Sequence, residues 1–103
     1  MGWWKQVEIS HLEEFLVIVE EKKLGEAAEK LYTTSSTLSK HIHAIEKEYG
    51  VPLFDRSKRS IVLNEYGQIF LPFAQSIVNA HHEAEKKIKK KKASHKKNIS
   101  VYA

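Results

Sequence analysis

The chain has 103 residues, no cysteine and a formal net charge of +4, which leaves room for one small folded unit plus an extension and excludes disulfide staples and thiolate metal sites. Eight of its seventeen basic residues fall between positions 86 and 97, and the nine before them face thirteen acids, so the body is acidic at −4 and the tail basic. No apolar run approaches the ~18 residues needed to span a bilayer, and a cytoplasmic protein with no membrane partner is expected.

In chain order, residues 1–9 form a leader in which Trp3 and Trp4 are expected to pack on the body or on a partner. Ser10 stands where it would cap a helix over residues 11–21, with Glu13 at the capping-box position and Leu12, Phe15, Leu16 and Val19 as its core stripe. Val17 and Ile18 widen that stripe, so a further element should cover part of this helix. Residues 22–25 read as a turn and residues 26–31 as a short helix. The Ala27-Ala28 pair has so little side-chain bulk that another helix can approach its backbone closely.

Residues 33–50 carry both marks of a complete helix. Thr33, Thr34 and Ser35 offer hydroxyls to the free N–H groups of a first turn, and Gly50 suits the left-handed position that ends a helix. Leu38, Ile42, Ile45 and Tyr49 share one side of the wheel, which is the expected core side. Ser36, Lys40, His43 and Lys47 fall opposite, flanked by Thr37, Ser39 and Ala44. Ser and Thr are weaker helix formers than the Glu and Lys of an ordinary solvated face, so this polar run reads either as a contact surface or as a hydroxyl-rich first turn. A short alanine-bearing helix, a tight turn and a helix with a polar outer face make a helix-turn-helix pattern, here without the usual turn glycine.

Residues 51–56 and 61–63 are two brief β-type runs around a polar tip over 57–60, and Arg56, Lys58 and Arg59 crowd this small protrusion, which reads as a hairpin wing or as a plain solvated turn. Asn64 is a good cap for a last helix over Glu65 to about Lys92, with a kink expected at Pro72. Phe70, Phe73, Ile77, Ala84 and Ile88 recur near a 3.5-residue spacing, with Ala80 and His81 between them. A stripe on a helix too long for the body to cover is expected to pair with its copy in a second chain. His81 and His82 are adjacent and His41 and His43 two apart, so neither pair suits a shared metal ion on one helix face. The lysines from Lys86 to Lys97 read as a solvated helix end fraying into a hinge, and residues 98–103 alternate like the start of a strand. The expected architecture is mainly α: a winged helix-turn-helix of three helices and a small β-hairpin wing over 1–64, a linker and dimerisation helix over 65–92, and a hinge with the start of a further, missing domain over 93–103.

Leu24 to Leu31 with its alanine pair, Leu38-Ser39-Lys40-His41-Ile42, Gly50-Val51-Pro52-Leu53-Phe54-Asp55-Arg56, Leu63-Asn64-Glu65-Tyr66-Gly67 and Leu71-Pro72-Phe73-Ala74 occur in this order without gaps. Together they resemble the DNA-binding half of LysR-type transcriptional regulators, over about residues 9–90. The resemblance implies a bacterial regulator, dimeric through an antiparallel linker helix, that binds double-stranded DNA at an interrupted palindrome. It further implies that Thr34 caps and touches phosphate, that Ser35, Ser36, Thr37 and Lys40 enter the major groove with Thr33, Ser39 and His43 beside them, and that Arg56, Lys58 and Arg59 hold the flanking backbone or minor groove. Lys40, which can donate to guanine O6 or N7, is the leading candidate for direct readout. Ser35 departs from a position often held by glutamine, so the operator need not match those of better-known relatives; Asn64 replaces a threonine, one cap for another. A small-molecule effector is expected only for a C-terminal domain that this chain, which looks like the N-terminal third of a regulator, does not include. Two rival readings remain: an interaction module built on the long helix and lysine tail, and a non-specific architectural DNA binder. No nucleophile–base pair or phosphate-cradling loop points to an enzyme.

Overall fold

A computed structural model describes residues 7–55 and 60–98, with side chains through residue 94. Trp3, Trp4 and residues 99–103 therefore lie outside the described residues. Four helices, α1 (Ile9–Glu21), α2 (Leu24–Lys30), α3 (Ser35–Tyr49) and α4 (Glu65–Asn98), flank a two-stranded antiparallel hairpin of β1 (Phe54–Asp55) and β2 (Val62–Leu63). Phe54 pairs with Leu63 and Asp55 with Val62.

The first helix starts two residues before the expected point, with Glu8 rather than Ser10 as its N-cap. The Glu8 N–H donates to His11 Nδ1 at 3.2 Å, so a buried imidazole does the work expected of Glu13. Glu13 is thereby left to meet His82 of α4 at 2.7 Å. Ile18 and His11 are buried while Leu16 and Val19 are only half-buried, because α1 packs against α2, α3 and α4 rather than along one stripe. That third contact with α4 is the cover that Val17 and Ile18 required.

Lys22, at φ 64°, takes the left-handed conformation alone and its N–H reaches the Ile18 carbonyl. The turn is that short, so α2 begins at Leu24 and includes Gly25, which the sequence reading assigned to the turn. Lys30 bridges to Glu21 at 3.0 Å and to Glu20 at 3.8 Å; the hydrogen bond and charge of Glu21, then the charge of Glu20, hold its ammonium above the ordinary lysine value.

The helix-turn-helix corner is a Schellman cap without glycine. Thr33 N–H donates to the Ala28 carbonyl at 2.9 Å and Tyr32 N–H to the Glu29 carbonyl at 3.2 Å, with Tyr32 at φ 56° in the position glycine would favour. Leu38, Ile42 and Ile45 of α3 then bury against Ala27, Ala28 and Phe15 in one core, to which α4 adds Phe70, Ala74 and Val78. Tyr49, assigned to that core from its spacing, is 52% exposed. The chain turns away at Gly50 (φ 74°), so only one side of the Tyr49 ring is covered, by Phe70 at 5.0 Å.

Three backbone-directed bonds weld the hairpin between α3 and α4. Glu46 Oε2 accepts from Leu53 N–H at 2.8 Å, Asn64 N–H donates to the Leu53 carbonyl at 2.9 Å, and Asn64 Nδ2 donates to the Pro52 carbonyl at 2.8 Å. Asn64 Oδ1 also accepts from Gly67 N–H at 2.8 Å, capping α4. Asn64→Ala should therefore lose more than an ordinary cap, about 1–2 kcal/mol, and lower the melting temperature by roughly 4–16 °C in a domain of this size. Asn64→Asp should recover the cap but not the Pro52 bond. A thermal melt in which Asp and Ala behave alike would remove the cap from this account.

The last helix runs unbroken through Pro72 and on to Asn98, past the end expected near Lys92. Lysine is a good helix former, and positive charge near a helix C-terminus is favourable, so the run extends the helix instead of fraying it.

Candidate nucleic-acid interface

The first turn of α3 is tied by its own hydroxyls. Thr34 Oγ1 accepts from Thr37 N–H at 3.2 Å and donates to Thr37 Oγ1 at 2.9 Å, with Ser36 Oγ at 3.4 Å. Thr34, Ser35, Ser36, Lys40, His43 and Lys47 are exposed, while Thr33, Thr37 and Ser39 are half-buried at the margin. His43 Nδ1 lies 2.8 Å from the Ser39 carbonyl; a carbonyl only accepts, so Nδ1 carries the proton and Nε2 is the atom offered to the outside. Because Leu38, Ile42 and Ile45 anchor the opposite side, the polar face is held rigidly on a helix rather than on a loop.

Charge is sorted by face. The α1 carboxylates are engaged away from the α3 face: Glu14 with His41, Glu13 with His82, and Glu20 and Glu21 with Lys30. His41, which stacks on buried His11 at 4.2 Å, is thus a strut between α3 and α1. Among the described residues no ion pair engages Lys40 or Lys47. Arg56, Lys58 and Arg59 lie outside the described residues, although the strands that lead to them flank the same domain.

A second exposed surface runs along α4. Phe73 (63% exposed), Ile77, Ala80, Ala84 and Ile88 face outward and His81 lies at the edge. Phe70 is its inner border: the ring is mostly buried, edge-on to Phe15 at 5.2 Å, and only its rim reaches the groove on this surface. The helix has two apolar faces about a residue out of phase, and a single 3.5-residue count merged them. The outward face instead includes Tyr66 and Ile69, which with Tyr49, Val51 and Leu53 line an open apolar groove of about 420 Å³.

The sequence pattern of bacterial regulatory helix-turn-helix proteins of the lysR family matches residues 9–68, more than half of the chain. The chain belongs to the LysR family. It is 44% identical over 72 residues to the transcriptional regulator ShiR of Corynebacterium glutamicum, covering 70% of this chain and 24% of that protein. Its fold is similar to that of the BenM DNA-binding domain in complex with catB site 1 DNA, with a TM-score of 0.80 and 26% identity over 93% of this chain and 99% of that one. It is also similar to Vibrio fischeri DarR in complex with DNA, with a TM-score of 0.78, 32% identity, and coverage of 82% and 29%. The chain spans about a quarter to a third of the length of the curated relatives it matches.

Within this LysR-family domain, two features escaped sequence reasoning. Tyr32 is 96% exposed immediately before the polar face, and only the left-handed backbone there explains why so large a ring is held in solvent. Tyr66 and Ile69 were legible as apolar residues, but their direction depends on which side of α4 the body occupies.

Proposed function

We propose that this chain is the DNA-binding and dimerising part of a sequence-specific transcription regulator acting in the cytoplasm. It reads one half-site with α3 in the major groove and pairs with a second copy through the outer face of α4. The observation that carries the reading is the α3 face itself: hydroxyls, an imidazole and two lysines that no ion pair engages among the described residues, backed by a buried anchor. Arg56, Lys58 and Arg59 are assigned to the flanking backbone or minor groove. A small-molecule effector would act on a part of the relatives that this chain does not span.

Lys40→Ala should cost ~1–3 kcal/mol, about 5- to 150-fold, at one base step of the preferred operator while random DNA loses less. The operator is obtained by selecting bound sequences from a random duplex pool, and affinities are compared at fixed salt. A uniform loss with a shallower salt slope would reassign Lys40 to phosphate. Unchanged binding of both DNAs would remove α3 from the interface.

A further inference from the structure

Among the described residues, two that are not glycine take the left-handed backbone, Lys22 at φ 64° and Tyr32 at φ 56°. Lys22 is a flexible charged chain that belongs in solvent wherever its backbone points. Tyr32 is a different case, because a bulky side chain in this region is an outlier and its ring, 96% exposed, gains no burial in return. No hydrogen bond or ring contact engages the Tyr32 side chain among the described residues. Most other exposed large apolar side chains line the α4 groove together. Tyr32 stands apart from them.

The turn fixes where that ring stands. Tyr32 precedes the N-cap Thr34 by two residues, at most ~7 Å of chain, and the Tyr32 and Thr33 N–H groups are both tied back to α2. The ring is therefore carried at the N-terminal edge of the exposed α3 face. An α-helix with its side chains is ~10–12 Å across and the major groove of B-DNA is ~12 Å wide. When α3 fills the groove, a residue held just ahead of the helix meets the wall, which is sugar and phosphate. From this we infer that Tyr32 is a further DNA-binding residue, its ring lying against a backbone sugar at the edge of the half-site and its phenolic O–H donating to a phosphate oxygen. The inference rests on the reading of α3 above and adds a contact outside the groove.

The chemistry of the side chain decides what such a contact does. Glycine is the residue this corner favours, and it would relax the turn but remove the ring, so the position gives up some stability of the turn for a hold on DNA. A phenol is neutral, so its bond to phosphate releases no counterion, and a phosphate contact carries no sequence information. Loss of Tyr32 should therefore weaken operator and random DNA alike and leave the salt dependence unchanged. A lysine on phosphate would behave differently, because its loss makes the salt slope shallower.

Tyr32→Gly separates the two effects. In a thermal melt of the whole chain it should raise the melting temperature by roughly 4–8 °C. In binding titrations it should weaken both the selected operator and a random duplex by about five- to tenfold, at an unchanged salt slope. Tyr32→Phe keeps the ring and the strained turn, so its melt should match the parent while affinity falls by about two- to fivefold. Operators carrying a single neutral methylphosphonate locate the phosphate: at one position the parent should lose affinity and Tyr32→Phe should lose none beyond what it has lost already. A Tyr32→Gly chain that binds both DNAs as the parent does removes Tyr32 from the interface, while Lys40→Ala still tests α3 independently. A loss confined to the operator makes Tyr32 a base reader and overturns the backbone contact. A lowered melting temperature means that the ring supports the fold and overturns the argument from strain. A parent chain that binds no DNA overturns the α3 reading and this contact together.

Discussion

Phe15→Ala should leave the domain with no cooperative melt at 37 °C or with a melting temperature lowered by roughly 12–24 °C or more. The ring is fully buried and is the only aromatic contact joining α1 to both the hairpin and α4, 5.6 Å from Phe54 and 5.2 Å from Phe70 among the described residues. Truncating such a ring removes its transfer energy and leaves a cavity, about 3–5 kcal/mol together. A body of this size starts near the low end of ~5–15 kcal/mol, so one such loss approaches the whole stability. Phe15→Leu should retain most of it. Chemical denaturation showing less than about 1 kcal/mol for Phe15→Ala would mean that the three elements are held together elsewhere.

Gly67→Ala should destabilise as well, against the ordinary preference of helices for alanine. In an open helix the exchange would gain about 1 kcal/mol. Here a Cβ on Gly67 would stand 2.2 Å from the Leu53 carbonyl oxygen and 2.6 Å from Leu63 Cδ2. The oxygen cannot swing aside, because it belongs to the backbone and already accepts from Asn64 N–H. The start of α4 must therefore back away from the hairpin, at an overpacking cost toward the upper end of about 1–3 kcal/mol, and the Asn64 bonds loosen with it. Gly25→Ala is the internal control: nothing lies within 4 Å of its Cβ, so that substitution should stabilise α2. Melting temperatures that move in the same direction for both would refute the steric account.

Much of the domain could be read from residue order. The α3 helix begins after Thr34 and ends at Gly50 as its caps required, since capping depends on neighbours in sequence. The alanine pair of α2 is buried, and the apolar runs on either side of the basic tip form the hairpin. For the candidate site, the exposed positions of α3 follow directly from the 3.6-residue wheel. The errors share a different character. Ser10 gave way to Glu8 because a histidine ring competed for the capping role, and Gly25 was taken for a turn that Lys22 makes alone. Phe70 and Tyr49 changed places between core and surface because each sits at the border of two packing faces.

The chain by itself determined the helix-turn-helix, its polar face and the family, because caps, periodicity and the order of short motifs are local properties of a sequence. Tertiary packing alone decided which side of α4 is turned inward, why Gly67 must lack a side chain, and that the α1 carboxylates are occupied by His41, His82 and Lys30. Those outcomes depend on distances between residues far apart in the chain, and a helical wheel carries no information about which of its sides another element will cover.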